Sequence, residues 1–245
     1  MDFVKKIFQQ RAFQLCFLLG LMSLFNIFLV VFRLDYVGFV WGDVNHYRDV
    51  FFFQNEPTFV FLIWNLFLAW IPFVLALLVN RLSQQRSSKL LIFPIIGVWL
   101  LFFPNAPYLL TDLLHLRPRP TIPYWYDVTM FASFAWTGLI LGLISLYPIH
   151  QFFKRYLPKP LEHGLIALLI FLCSLGIYIG RFLRWNSWDI LYQPKGLLTD
   201  LHNIFFYPAE LFPELGITPL YFCFLYPLYW LVQNMLESKA VLRNS

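Results

Sequence analysis

The chain has 245 residues, of which 60% are hydrophobic, 21% are aromatic and only 13% are charged. With a mean hydropathy of +0.65, it has too few polar groups to cover a soluble globule of this size, which predicts an integral membrane protein. Its three cysteines lie inside apolar runs, where we expect them to pack as small side chains rather than to form disulfides or a zinc cluster.

The apolar runs predict the number of membrane spans. A hydrocarbon core about 30 Å thick requires roughly 20 apolar residues per helix. Five runs reach about that length, whereas the run from Leu90 to Phe103 rises only about 21 Å and needs the residues up to 110 to complete a span. The sequence therefore predicts an all-α integral membrane fold in a single domain, residues 1–245. We expect about six transmembrane helices, near residues 12–32, 57–79, 90–110, 128–149, 164–183 and 217–236.

The basic residues predict the orientation of these helices. If the N-terminus is cytoplasmic, eleven Lys and Arg residues lie inside and seven outside, which is the expected positive-inside bias. We therefore expect a multi-pass protein of the bacterial inner membrane with both termini cytoplasmic and with the first span retained as an anchor. The net charge of +5 is then a property of the inner face and does not indicate nucleic-acid binding.

The third span contains prolines and polar residues. Pro104 and Pro107 predict that this helix kinks or stops near Phe103. Asn105 is expected to cap a short interfacial helix on the outer side, from Ala106 to about Leu116. On that helix a polar stripe would face an outward pocket, because its members are spaced by three or four: Tyr108, Thr111, Asp112 and His115. The alternative is a proline kink followed by a helix end that is polar because it reaches the headgroups.

A second polar cluster follows the fifth span, in the segment GRFLRWNSWDI at residues 180–190. Arg181 and Arg184 are one turn apart and would share a helix face, where two guanidiniums suit a phosphate or a carboxylate. Asn186 and Asp189 follow at the interface. The alternatives are arginines that snorkel beside belt tryptophans, or an ion pair between Arg181 and Asp112 that holds two helices together.

A repeated pentamer raises the question of a metal site. LLTDL occurs at Leu109–Leu113 and at Leu197–Leu201, and each copy is followed by a histidine. Imidazole and carboxylate ligands suit zinc, so Asp112, His115, Asp200 and His202, with His46 as a further candidate, could bind a metal. The spacing matches no strong metal signature, and the sequence predicts no cofactor.

Two GxxxG motifs, Gly138 to Gly142 and Gly176 to Gly180, predict close helix packing between the fourth and fifth spans. The connecting segment HQFFKRYLPKP is expected to be a short cytoplasmic connector without site chemistry.

The segments FFPNAPYLLTDLLHL and GRFLRWNSWD resemble the two signature blocks of an uncharacterised bacterial membrane family catalogued as domain of unknown function 1361. The resemblance covers most of the chain, from the second helix onward. It implies a multi-pass bacterial membrane protein, but no known reaction, ligand or partner. The family pattern draws attention to Pro104, Asn105, Ala106, Pro107, Tyr108, Asp112, His115, Arg181, Arg184, Asn186, Ser187, Trp188 and Asp189.

These residues predict an outward-facing interfacial site that binds or processes an anionic lipid headgroup or a lipid-linked envelope intermediate. Asn105, Tyr108, Asn186 and Asp189 would bind the ligand, with Arg181 and Arg184 as an anion clamp. If the protein is an enzyme, which the sequence leaves open, His115 would be the general base and Asp112 would orient it. The alternative is a noncatalytic membrane component, either a lipid transporter or an assembly partner of an envelope protein. No ionisable residue lies near the middle of a predicted span, which argues against an ion-coupled transporter.

Overall fold

The computed structural model describes residues 2–39, 51–53, 56–85, 88–206 and 215–241. The regular secondary structure of this part of the chain is helical apart from a hairpin of two-residue strands, β1 (Phe52–Phe53) and β2 (Glu56–Pro57), which pair antiparallel. The helices are α1 (Asp2–Tyr36), α2 (Phe61–Gln84), α3 (Lys89–Phe102), α4 (Asn105–Tyr108), a 3-10 helix (Leu109–His115), α5 (Tyr124–Phe153), α6 (Lys159–Arg181), α7 (Asp189–Tyr192), α8 (Pro194–Phe206) and α9 (Ile217–Val241).

Five helical stretches within the described residues are long and apolar enough to cross a membrane, which makes this a membrane protein of several helices. They are Gln14–Tyr36, Phe61–Gln84, Lys89–His115, Tyr124–Phe153 and Lys159–Arg181. They occupy the same parts of the chain as the first five expected spans. The sixth expected span lies on α9, which has 25 residues but is not among the five, because its tyrosines and polar C-terminal half reduce its hydropathy.

Side-chain contacts define the two ends of the helix bundle. At one end, which we call the site end, the start of α2 meets the 3-10 helix through Phe61 and His115. At the opposite end, Arg155 donates a hydrogen bond to Ser83 and Lys154 pairs with Glu237 near the end of α9. The helix α9 therefore runs between the two ends, and basic residues that were expected to be cytoplasmic gather at the opposite end.

The segment from α3 to His115 follows a continuous helical path rather than a full break. Phe103 and Pro104 keep right-handed helical torsion angles, and α4 starts at the next residue. The expected cap is wrong: Asn105 is the first residue of α4, and its side-chain amide donates to the Phe102 carbonyl oxygen, 3.0 Å away, instead of accepting a bond from the backbone. The change at the prolines is one of helix type, because the α-helix tightens into a 3-10 helix from Leu109.

The two GxxxG motifs pack against the proline segment and not primarily against each other. A methyl group on Gly138 would lie 2.4 Å from the Ala106 carbonyl oxygen, and one on Gly176 would lie 2.4 Å from Pro104 Cγ. Only glycine permits such an approach. The glycine stripes of α5 and α6 thus hold the Pro104–Leu109 segment between two helices, whereas the sequence had predicted that they bring these two helices together.

Neutral polar residues at membrane depth hold α1 on α5. Asn26 donates to Thr137 Oγ1 at 2.8 Å and accepts from Ser133 Oγ at 2.5 Å. Because each group finds a partner across the helix interface, these residues are satisfied without water.

Candidate functional site

The two polar segments that the sequence singles out meet at the site end. Asn105 Nδ2 donates to Ser187 Oγ at 2.9 Å, and Ser187 in turn donates to the Leu101 carbonyl oxygen, also at 2.9 Å. A second contact joins Arg181 Nη1 to Asp112 Oδ1 at 3.7 Å. The loop after α6 is therefore anchored on the α3–α4 junction.

Asp112 is directed into the protein. Its side chain is 1% exposed, and the carboxylate accepts a hydrogen bond from Asn65 Nδ2 at 2.9 Å in addition to its contact with Arg181. Thr111 beside it is also buried, and its hydroxyl donates to the Tyr108 carbonyl oxygen. The predicted polar stripe faces a pocket over only part of its length, because the tighter 3-10 turn directs Thr111 and Asp112 toward neighbouring helices. Asp112 thus braces α2, the 3-10 helix and α6.

His115 lies at the surface beside this brace. Its side chain is 41% exposed, and Nδ1 lies 3.2 Å from the Asp112 backbone carbonyl oxygen and 4.0 Å from the carboxylate oxygen Oδ1. Because a carbonyl oxygen can only accept, Nδ1 carries the proton and Nε2 is left with its lone pair. The backbone of Asp112, more closely than its carboxylate, orients the imidazole.

Arg181 and Arg184 do not share a helix face. The helix α6 ends at Arg181, and Arg184 follows in the loop with a positive φ of 60°. Arg181 is 16% exposed and faces Asp112. Arg184 is exposed and makes no hydrogen bond or ion pair within the described part of the chain. The prediction of two guanidiniums on one face is wrong, because the helix stops before the second one.

Asn186 and Asp189 form a local turn at the start of α7. The Asp189 carboxylate accepts from the Asn186 backbone N–H at 2.6 Å and from Asn186 Nδ2 at 3.1 Å. This carboxylate is therefore occupied by its own loop.

A groove of about 440 Å³ opens where the two segments meet, which is a volume typical of ligand sites. Its walls come from α2, α3, α4, α6 and the segment from Trp185 to α8. The lining residues are Trp64, Asn65, Leu68, Gly97, Leu100, Leu101, Pro104, Asn105, Tyr108, Leu172, Leu175, Gly176, Ile179, Gly180, Trp185, Asn186, Ser187, Ile190, Leu197 and Leu201. Among the residues expected to form the site, Asn105, Tyr108 and Asn186 line the groove, whereas Asp112, His115, Arg181, Arg184 and Asp189 do not.

The groove is polar at one end and apolar along the rest. Asn105 and Ser187 lie at the site end, and Gly97 precedes Asn105 by eight positions, which is about 12 Å along the helix. Nothing lies within 4 Å of the position that a Cβ on Gly97 would occupy. The apolar part therefore extends alongside α3 toward the middle of the apolar stretch Lys89–His115.

The helices α7 and α8 cover the polar end of the groove. Trp185 Nε1 donates to Asp200 Oδ2 at 2.7 Å, which ties α8 to the loop after α6. Leu197 and Leu201 face the groove from α8, while Leu191 and Leu198 are exposed on the outside. An apolar outer face beside membrane-spanning helices suits the headgroup boundary of a bilayer.

The structure does not assemble the suggested metal ligands. Asp200 accepts from Trp185, and the His202 ring stacks on Phe206 with centroids 4.4 Å apart. Within the described residues there is no group of three or more His, Cys, Asp or Glu side chains that could hold a metal. His46 lies outside the described residues.

Sequence reasoning missed a buried ion pair at the site end. Arg33 is 0% exposed and donates from Nε to Asp127 Oδ1 at 2.8 Å, and a second hydrogen bond reaches the Pro57 carbonyl oxygen. Arg119 binds the other Asp127 oxygen at 3.2 Å, and both guanidiniums lie over the Phe59 ring. The signal in the sequence was a charged residue at one end of each of two apolar runs, Arg33 in VVFRLDY and Asp127 in YWYDVTMF.

A second missed cluster lies at the opposite end. His150 contacts Glu162 Oε1 through Nε2 at 2.5 Å and the Tyr229 hydroxyl through Nδ1 at 2.6 Å. All three side chains are buried, and together they join α5, α6 and α9. The segment HQFFKRYLPKP was expected to be a connector without such contacts, but α5 continues to Phe153 and brings its histidine into the core.

The comparisons with known proteins identify a family but no characterised relative. Residues 64–227, about two thirds of the chain, match the model of the family described as "Protein of unknown function (DUF1361)". No curated protein and no solved structure matches the chain. Both polar segments and all the walls of the groove fall within the matched residues.

Proposed function

The chain belongs to the DUF1361 family, and from this membership and the geometry of the groove we propose that it binds one membrane lipid or lipid-linked envelope intermediate. The observation that carries the proposal is the groove itself, which joins a cluster of hydrogen-bonding side chains to an apolar channel between membrane helices. An amphiphile has the same division, because its headgroup seeks polar partners and its chain seeks apolar surface.

In this proposal the site end faces outward. The five apolar helices and α9 make six crossings, so that both termini lie in the cytoplasm of a bacterial cell and the groove opens at the outer leaflet. The basic residues at the opposite end, which include Lys154 and Arg155, support this orientation. The residues expected to bind ligand are then Asn105, Tyr108 and Asn186.

The proposal favours binding over catalysis. The carboxylate of Asp112 is buried and held by Asn65 and Arg181, so it braces the wall of the groove rather than reaching into it. Arg181 is likewise occupied. A lipid carrier or an assembly partner of an envelope protein uses such a groove without changing a covalent bond.

Filling the apolar channel tests the proposal. Gly97→Phe adds a ring at a residue that lines the groove and at which no atom lies within 4 Å of the added Cβ, so we expect the fold to be kept and the channel to be blocked. Gly20→Phe is the matched control, because a Cβ on Gly20 also has no atom within 4 Å, and Gly20 lies on α1 and does not line the groove. Native mass spectrometry from mild detergent reports the bound lipid.

We expect a discrete lipid adduct in the wild type and in Gly20→Phe, and its loss in Gly97→Phe at unchanged melting temperature. Equal adducts in all three proteins, or no adduct in the wild type after reconstitution and extraction, would contradict the proposal.

Catalysis at His115 is a second candidate function, favoured by one observation. The imidazole is exposed, and its Nδ1 is held on the Asp112 carbonyl oxygen, which leaves Nε2 as a base. Transfer or hydrolysis on an envelope lipid is the reaction class that this position supports. Loss of lipid turnover in His115→Ala, with lipid binding intact, would support it.

A further inference from the structure

Each of the three asparagines of the groove uses at least one of its two amide N–H groups within the protein. Asn65 Nδ2 donates to Asp112 Oδ2 at 2.9 Å, and Asn186 Nδ2 donates to Asp189 Oδ2 at 3.1 Å. Asn105 Nδ2 donates twice, to the Phe102 carbonyl oxygen and to Ser187 Oγ. Within the described part of the chain, the side-chain carbonyl oxygens of these asparagines accept no hydrogen bond. The groove therefore presents three amide carbonyl oxygens as acceptors, and Asn65 and Asn186 each keep a second N–H that donates to no described residue.

Tyr108 adds a hydroxyl to these acceptors. It lines the groove, and its OH makes no hydrogen bond with any described residue. A phenol both donates and accepts. It is the one side chain of this set whose polar atom can be removed without breaking a contact in the fold.

The charge of the lining residues limits which headgroups fit the groove. Of the described residues that line the groove, none is charged. The nearby carboxylates of Asp112 and Asp189 stand behind the amides and orient them, and Arg181 is paired with Asp112. A phosphate placed among these side chains would lose its water and find no cation among the residues that line the groove, which is unfavourable.

We infer that the groove selects a lipid whose headgroup is uncharged and rich in hydroxyl groups, such as a glycosylated diacylglycerol. Hydroxyl donors pair with the free amide oxygens of Asn65, Asn105 and Asn186. The indole rings of Trp64 and Trp185, which also line the groove, offer apolar faces to the C–H groups of a sugar ring. This inference rests on the proposed function, because it names the class of lipid that the same groove binds. It replaces the anionic headgroup expected from the sequence.

A competition between lipids of equal acyl composition tests the inference. The full-length protein is placed in phosphatidylcholine nanodiscs that contain equal mole fractions of monoglucosyl dioleoylglycerol, dioleoylphosphatidylglycerol and dioleoylphosphatidylethanolamine. Native mass spectrometry then measures which lipid remains bound. The variants are Tyr108→Phe, Gly97→Phe and the control Tyr124→Phe, whose tyrosine is exposed at the start of α5 and lies outside the groove.

We expect the glucolipid to be retained in preference to both phospholipids. Tyr108→Phe should reduce that preference about fivefold, which corresponds to one hydrogen bond, and Tyr124→Phe should leave it unchanged. A preference for phosphatidylglycerol or phosphatidylethanolamine, or a preference that Tyr108→Phe does not change, would overturn the inference.

Failure of the headgroup inference and failure of the proposed function give different results in this experiment. If a lipid is retained and Gly97→Phe displaces it, but the lipid is a phospholipid, the proposed function stands and only the headgroup class is wrong. If Gly97→Phe displaces no lipid of any class, the groove is not the binding site and both proposals fail.

Discussion

Asn105 and Ser187 lie 82 positions apart in the chain and are joined by a hydrogen bond of 2.9 Å. This bond connects the α3–α4 junction to the loop after α6, and both residues line the groove. Two polar segments that lie far apart in a hydrophobic chain thus meet at the groove.

Breaking this bond should destabilise the protein in a non-additive way. Asn105→Ala and Ser187→Ala should each lower the melting temperature in detergent, because each leaves a polar partner unpaired. A double-mutant cycle should give a coupling free energy of about 1 kcal/mol. Strict additivity of the two changes would show that the contact contributes nothing to stability.

The glycine stripes should differ sharply in their tolerance of a methyl group. Gly176→Ala and Gly138→Ala meet atoms at 2.4 Å, so each should destabilise the fold by about 1–3 kcal/mol. Gly97→Ala and Gly164→Ala meet nothing within 4 Å and should be neutral or slightly stabilising, because alanine favours a helix. Melting temperatures of the four variants check this order, and similar values for all four would refute the packing of the proline segment between α5 and α6.

Loss of Asp127 from the ion pair at the site end should destabilise the protein more than loss of one of its two arginine partners. Asp127→Asn leaves the buried Arg33 without its counter-ion, for a cost of about 3–5 kcal/mol. Arg33→Met should cost less, because Asp127 keeps the Arg119 guanidinium at 3.2 Å. Chemical or thermal unfolding in detergent measures both; the reverse order would mean that Arg119 does not compensate.

Substitution of Asp112 should lower the stability of the protein, whereas substitution of His115 should leave it nearly unchanged. Asp112→Asn removes the charge opposite Arg181 and should lower the melting temperature, whereas His115→Ala alters an exposed side chain and should change stability by about 0.5 kcal/mol or less. Since His115 does not line the groove, His115→Ala should also keep the bound lipid. Loss of lipid in this variant at an unchanged melting temperature would move His115 into the binding site.

The proposed orientation can be checked by labelling in intact cells. Thr121→Cys and Gln85→Cys place thiols at exposed positions on opposite ends of the bundle, in a background where Cys16, Cys173 and Cys223 are replaced by alanine. A membrane-impermeant thiol reagent should label position 121 from outside and position 85 only after lysis. The opposite pattern would place the groove at the inner leaflet.

Predictions from the sequence agree best with the structure where composition alone determines the secondary structure. Long apolar runs must become helices in a bilayer because each helix satisfies its own backbone hydrogen bonds. The five apolar helices therefore follow the sequence pattern, and the FFPNAPY and GRFLRWNSWD segments stand out because polar residues interrupt those runs.

Predictions for individual side chains were less accurate where tertiary contacts override the helical spacing of residues. Asn105 has the chemistry of a cap, but its amide donates to Ser187 instead. Arg181 and Arg184 have helical spacing, but the helix ends between them. Asp112 lies in a polar stripe, but Asn65 from α2 and Arg181 from α6 draw it inward.

The sequence by itself determined that this is a membrane protein of several helices, and it singled out the FFPNAPY and GRFLRWNSWD segments by their polar residues, because hydropathy and residue type are local properties. Only the tertiary structure decided that the two segments meet, that the glycine stripes enclose the proline segment, and that a groove with neutral acceptors lies between them. A helical period specifies which residues share a face but not which helix that face will meet, and the neighbour decides whether a polar group binds a ligand or another part of the protein.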